Sequence, residues 1–184
     1  NPSNILSSKS TLQSLLPAAL RIQTFKTDYL KPLEGNAKLE AGIKFSLVKT
    51  DNTASVFDIF NNVKVPNYEF SNKFLYDENI NAGYLNYAKE GKKLSIQTGL
   101  RIENTNISGR QLGNPVIKDS SFVRNYSNLF PTLYLQYKID TLQKNQLMFS
   151  LGRRINRPNY QDLNPFSYPL DRFTYYGGNP FLQP

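Results

Sequence analysis

At 184 residues the chain is long enough for one domain with a sizeable core, and with no Cys and no His it excludes disulfides, Cys/His zinc sites, thiolate nucleophiles and Ser-His-Asp triads. Lys and Arg number 22 against 14 Asp and Glu, a formal charge of +8 that points to an anionic partner such as nucleic acid, lipopolysaccharide or an acidic ligand. Hydrophobic residues make up only 39%, and no apolar run approaches the roughly 18 residues of a membrane-crossing helix, which leaves a β-barrel open because only alternate strand residues there meet lipid.

The chain opens on Asn1-Pro2-Ser3 with neither Met nor leader-like features and closes on a Pro- and aromatic-rich stretch, so it is expected to be a piece of a longer protein. Residues 1–17 read as an entry segment. Thr11 to Leu20 is open to a short helix, with Pro17 arguing against a long one. Leu20 to Leu30 reads as a strand whose alternation slips once, as a bulge or a change of face would cause. After the break Glu34-Gly35-Asn36 comes a clean period of two: Leu39, Ala41, Ile43, Phe45 and Leu47 on one face, Glu40, Gly42, Lys44 and Ser46 on the other. Thr50 to Lys73 reads as a long connection, and Phe74 to Tyr87 as a strand with another slip. Lys89-Glu90-Gly91-Lys92 is a second short break. Alternation then returns, with Leu94, Ile96, Thr98, Leu100 and Ile102 opposed to Lys93, Ser95, Gln97, Arg101 and Glu103. Ser108 to Asn128 is a second long connection. Thr132 to Lys138 and Gln146 to Ile155 are strands around the break Asp140 to Lys144, and a third connection opens at Asn156.

These elements give an all-β fold, an antiparallel up-and-down meander of about six strands forming a slice of a transmembrane β-barrel. Residues 18–157 supply three hairpins and residues 158–184 an extracellular loop. Short turns at one end and long connections at the other match periplasmic turns and extracellular loops. Tyr29, Tyr87 and Tyr137 each precede a short turn, where an interfacial girdle takes a ring with a polar tip. On this reading Lys44, Gln97, Arg101 and Glu103 face the lumen. Arg153 falls on the apolar phase of its strand and must either snorkel at the edge of the band or be turned inward by a bulge.

Four stretches resemble the barrel part of TonB-dependent outer-membrane receptors of the Bacteroidota type. They are Asn79-Ile80-Asn81-Ala82-Gly83-Tyr84-Leu85-Asn86-Tyr87, Gly99 to Thr105, Asn128-Leu129-Phe130-Pro131-Thr132 and, above all, the block from Arg153-Arg154-Ile155-Asn156-Arg157-Pro158-Asn159-Tyr160 through Leu163-Asn164-Pro165-Phe166 to Gly178-Asn179-Pro180. The resemblance spans about Leu20 to Pro184. It implies a barrel of about 22 strands in the bacterial outer membrane, plugged by an N-terminal domain and energised by the TonB complex to import a nutrient. Neither a plug nor a TonB-contact segment is recognisable in these residues, so transport is expected of a fuller protein. The implied partners are that plug and TonB complex, outer-membrane lipid or lipopolysaccharide, and the imported ligand; no cofactor is implied.

Arg101, Glu103, Arg154 and Arg157 are candidates for contact with plug or ligand, through bidentate hydrogen bonds of the guanidinium groups. The alternative is structural pairing of the arginines with Glu103, Asp162 or Asp171. Tyr175 and Tyr176 are loop candidates for stacking on a ligand, or for packing the loop over the barrel mouth. Nucleic-acid binding is not expected, because basic residues come at most in pairs. Catalysis is not expected either: the adjacent carboxylates Asp77 and Glu78 point to opposite faces of a strand, and no nucleotide or nucleophile motif is present. The rival architecture is a soluble secreted β-sandwich that binds carbohydrate, with the same alternation turned into a core.

Overall fold

A computed structural model of the chain describes residues 11–140, 144–169 and 173–183. The first ten residues of the entry segment, the middle of the Asp140 to Lys144 break and the pairing candidate Asp171 lie outside them. Strand β1 (Leu12–Leu15) and strand β2 (Ala18–Leu33) follow one line along β3 (Ala37–Phe60). Leu12 stands opposite Asp58 and Ala18 opposite Asn52, the same register on both sides of the gap. Pro17 lies in that gap, and its carbonyl accepts from the Thr53 amide at 3.0 Å. The helix considered over Thr11 to Leu20 is therefore corrected to an edge strand. Pro17 would sit inside such a helix and break it, whereas at a sheet edge its missing N–H is tolerated.

The meander continues through β4 (Val63–Pro66), β5 (Asn72–Glu90), β6 (Leu94–Leu112), β7 (Ser120–Lys138) and β8 (Gln146–Gly152). β5, β6, β7 and β8 add antiparallel to β3 one after another, and the sheet stays open, with β1 and β2 on one margin and β8 on the other. Glu34, Gly35 and Asn36 close the first short turn, where Gly35 (φ 72°) and Asn36 (φ 56°) take the left-handed conformation these residue types tolerate. At the opposite end Asn61 and Asn62, both with positive φ, turn β3 into β4 as a two-residue hairpin. The Ser71 hydroxyl then accepts from the Val56 amide at 3.0 Å, closing the corner before β5.

One further expectation changes and an open alternative closes. The long connections over Thr50 to Lys73 and Ser108 to Asn128 are largely strand, since β3 runs on to Phe60, β5 starts at Asn72, β6 ends at Leu112 and β7 starts at Ser120. No bulge interrupts β2 or β5, whose partners step without a break from Ala18↔Asn52 to Leu33↔Ala37 and from Ala37↔Lys89 to Ala54↔Asn72. The slips are the change of face that the sequence also allowed, and the same change hid the strands within the connections. Near the short turns the outer face carries Phe25 and Tyr29, then Leu39 to Leu47, Leu85 and Tyr87, Leu94 to Ile102, Leu129 to Tyr137, and Leu147 to Leu151. Past the row Thr24, Ser46, Ile80, Thr105 and Tyr126 the inner face takes over, with Val56, Phe74, Tyr76, Ile107 and Phe122. The outer face there turns polar, with Asn104 bonded to Asn125 and Ser127 and with Lys49–Asp77 and Lys73–Asp51 pairs at 3.2 Å.

Among the described residues nothing covers the outer band: Ile43 is 42% exposed and Ile102 52%. A sandwich needs a second sheet over that face, so that alternative fails. The upper margin of the band is Leu47 on β3 but Ile102 on β6, and Ile102 is level in register with Gly83 and Ile43. A drop of four residues, about 13 Å over two strand spacings of about 4.8 Å, is of the order that tilted barrel staves produce. Tyr29, Tyr87 and Tyr137 all lie on this outer face beside the short turns.

Candidate functional site

After β8 the chain folds back over the inner face. The strand expected to reach Ile155 stops at Gly152, because there the backbone leaves β7, keeping only one bond from the Arg153 amide to the Pro131 carbonyl at 3.2 Å. Arg153 is turned inward, one of the two arrangements anticipated, but by the end of the strand at Gly152 and not by a bulge. Its guanidinium donates to Asn128 Oδ1 at 3.0 Å and to the Leu129 carbonyl at 3.4 Å. A single helical turn, α1 (Tyr160–Leu163), follows and is closed by a capping box. Asn159 Oδ1 accepts from the amides of Gln161 and Asp162, and the Asp162 carboxylate accepts from the Asn159 amide. Two short paired strands, β9 (Ser167–Pro169) and β10 (Tyr175–Gly177), complete the segment.

Of the contacts that the described residues of this strap make with the wall, four stand out. Leu163, 1% exposed, enters a cluster with Phe74, Tyr76 and Ile107, and Tyr160 packs on Tyr76 with ring centroids 6.4 Å apart. Asn72 Nδ2 donates to Asn164 Oδ1 at 3.0 Å. Arg124, stacked 5.3 Å over the Phe122 ring, donates to the carbonyls of Pro180 and Leu182. The fourth attachment is ionic. Arg101 and Glu103 stand two apart on β6, hence on one face, and Arg101 Nε donates to Glu103 Oε1 at 2.5 Å. The other Glu103 oxygen accepts from Arg157 of the strap. Burial works against the Arg157 charge, but the Glu103 carboxylate outweighs it, and the guanidinium holds its proton more tightly than usual.

Arg101, Glu103, Arg154 and Arg157 are thus brought to one depression of about 560 Å³, also lined by Lys26, Glu40, Tyr84 and Phe130. Both carboxylate oxygens of Glu103 are engaged within the chain. The tyrosines go elsewhere: Tyr175 stacks on Phe70 with centroids 5.8 Å apart, and Tyr176 lines a separate cleft of about 590 Å³ between the strap and β1, β3 and β5. Below the clamp the inner face is polar. Lys26 pairs with Asp28 at 2.7 Å, and the Tyr84 hydroxyl donates to Asp28 with Glu40 Oε1 3.0 Å away.

Asn72, Arg124, Tyr160 and Leu163 escaped the sequence reading because they act across 56 to 92 positions or sat in apparent loops. The spacing Asn159-x-x-Asp162 before Leu163 was the available sign of a capped turn.

A family model described as "Outer membrane protein beta-barrel family" matches residues 1–184. No curated protein matches the sequence.

Proposed function

Since the chain belongs to the outer membrane protein beta-barrel family, and with it to the bacterial outer membrane, we propose that it forms part of the wall of a TonB-dependent receptor that takes up a nutrient. The observation that carries this reading is the division of the inner face. Its far end is covered by the clamped strap, and beneath that lies a polar, uncovered zone with Lys26, Asp28, Glu40 and Tyr84, suited to a hydrated plug domain. The block from Arg153 to Phe166, which carries the resemblance to such receptors, is the strap itself. Catalysis has no part in the proposal: the carboxylates of Glu103 and Asp28 are bound to neighbouring cations.

In the intact gene product, a photo-crosslinker at Gln97 or Thr132 on the inner face is expected to form an adduct with a domain preceding the barrel, and one at Leu100 on the outer face an adduct with lipid. Uptake is expected to stop when the TonB complex is removed. Lipid adducts from Leu100 without any protein adduct from Gln97 or Thr132 would overturn the receptor reading and leave the barrel intact.

A further inference from the structure

On the outer face the apolar band of β2 and β3 ends at the row of Gln23 and Leu47, and the next outer row, about 7 Å further along the strands, sets Arg21 directly opposite Lys49. Like charges in facing positions of a sheet repel. Lys49 is paired instead with Asp77, and Asp51, diagonal to Arg21, is taken by Lys73, both at 3.2 Å. Arg21 is exposed and has no ion pair or hydrogen bond among the described residues, and the same holds for Arg110, which shares the outer row of Asp51. Four cations thus stand against two carboxylates. Residues 1–10 contain no acid to redress that balance, and Asp171, the one acid outside the described residues, belongs to the sequence of the strap, whose described parts pack on the other face. Below the belt, Phe25 and Phe45 lie stacked and open, with ring centroids 6.3 Å apart.

We propose that Arg21 and Lys49 hold a phosphate of lipopolysaccharide, whose acyl chains lie along Phe25, Phe45 and Leu47. The proposal rests on the outer-membrane placement of the family and is independent of the receptor reading. The belt stands at the end away from the short turns, the side assigned to the cell exterior, where lipopolysaccharide forms the leaflet. A ligand at this height must be apolar below and anionic above, in that order and about two residues apart along the strand. A phosphate between Arg21 and Lys49 turns their repulsion into two attractions, and the guanidinium offers it two parallel N–H donors. Gln23, in the row between the rings and Arg21, adds an amide at the level of the sugar head. A zwitterionic head group carries its own cation to the same place and gains less.

The test uses the intact gene product, delipidated in detergent, and native mass spectrometry of the lipid it retains. The probes are lipid A with its phosphates, the same lipid with them removed, and phosphatidylglycerol. Phosphorylated lipid A is expected to be retained in preference to both others. Arg21→Ala should weaken that retention about fivefold, Arg21→Lys should keep most of it, and Lys31→Ala, on the same face of the same strand but beside the short turn, should leave it unchanged. Because Arg21 is exposed, its replacement is expected to leave the heat-modified gel mobility of the barrel as it was, which separates loss of the lipid from loss of the fold. Equal retention with and without phosphate, a preference for phosphatidylglycerol, or an equal effect of Arg21→Ala and Lys31→Ala overturns the proposal.

Discussion

Glu103 shows how one buried side chain can hold together elements far apart in sequence. It is 7% exposed, and both its oxygens bind arginines, one on its own strand and one on the strap. Glu103→Gln keeps the shape, removes the charge and leaves Arg101 and Arg157 crowded without an anion. Loss of one partner from a largely buried pair costs about 3 kcal/mol, and here it should free the strap. Trypsin is then expected to cleave after Arg154 much faster in detergent-refolded Glu103→Gln than in the parent chain. The opposite outcome is expected at Thr105, fully buried with no partner for its hydroxyl among the described residues. Thr105→Val replaces that hydroxyl by a methyl of the same shape, so the urea midpoint should hold or rise, with a gain of up to about 1 kcal/mol. Glu103 was legible in the sequence because it lies on the polar phase of the cleanest strand. Thr105 was not, because nothing local says that this polar position, opposite Tyr126 in register, ends fully buried.

At the scale of elements, the staves of the barrel divide into a half that the sequence displays and a half that it conceals. Leu39 to Leu47 and Leu94 to Ile102 alternate strictly and were legible as strands with their outer faces assigned. Their continuations to Phe60 and Leu112 looked like loops, because Val56 and Ile107 carry the apolar character on the other face and a window spanning the change averages to no period. The change of face also sets what each position tolerates. Ile43, midway along the apolar run of β3, should lose about 2–4 kcal/mol of folding free energy in phosphatidylcholine vesicles when replaced by Arg, whereas Ser108→Arg, on the same outer face but past the band, should cost no more than about 1 kcal/mol. Equal costs would place the lipid boundary elsewhere. On the strap, a Cβ at Gly178 would meet the carbonyl oxygens of Asn164, Asp162 and Gln161 at close range. Gly178→Ala is therefore expected to lift the β9–β10 pair from α1, at a cost of about 1–3 kcal/mol, seen as faster hydrogen exchange at the Asn179 amide, which donates to the Asp162 carbonyl at 2.7 Å.

For the molecule as a whole, the sheet is open, and β1 with β2 on one margin and β8 on the other present unpaired backbone groups. The outer band adds exposed Leu, Ile and Phe along every main strand. Light scattering after size exclusion should therefore report oligomers or aggregates of this 184-residue chain in plain buffer, dispersed by detergent. A monodisperse monomer without detergent would contradict the lipid-facing assignment of the band. The up-and-down order of the strands followed from the alternation and the short turns, whereas the strap needed contacts between residues some 50 to 90 positions apart, which no local pattern encodes.

The unbroken register also makes this wall sensitive to parity. Every ladder from β2 to β7 steps residue for residue through the crossing row at Thr105, so one residue inserted above that row would send Ile107 outward and Arg110 inward in a single stroke. Two inserted residues would merely raise the rim. Natural length variation above the bilayer should accordingly come in even steps within each stave, with odd steps confined to the corners at Asn61-Asn62 and Gly113 to Asp119.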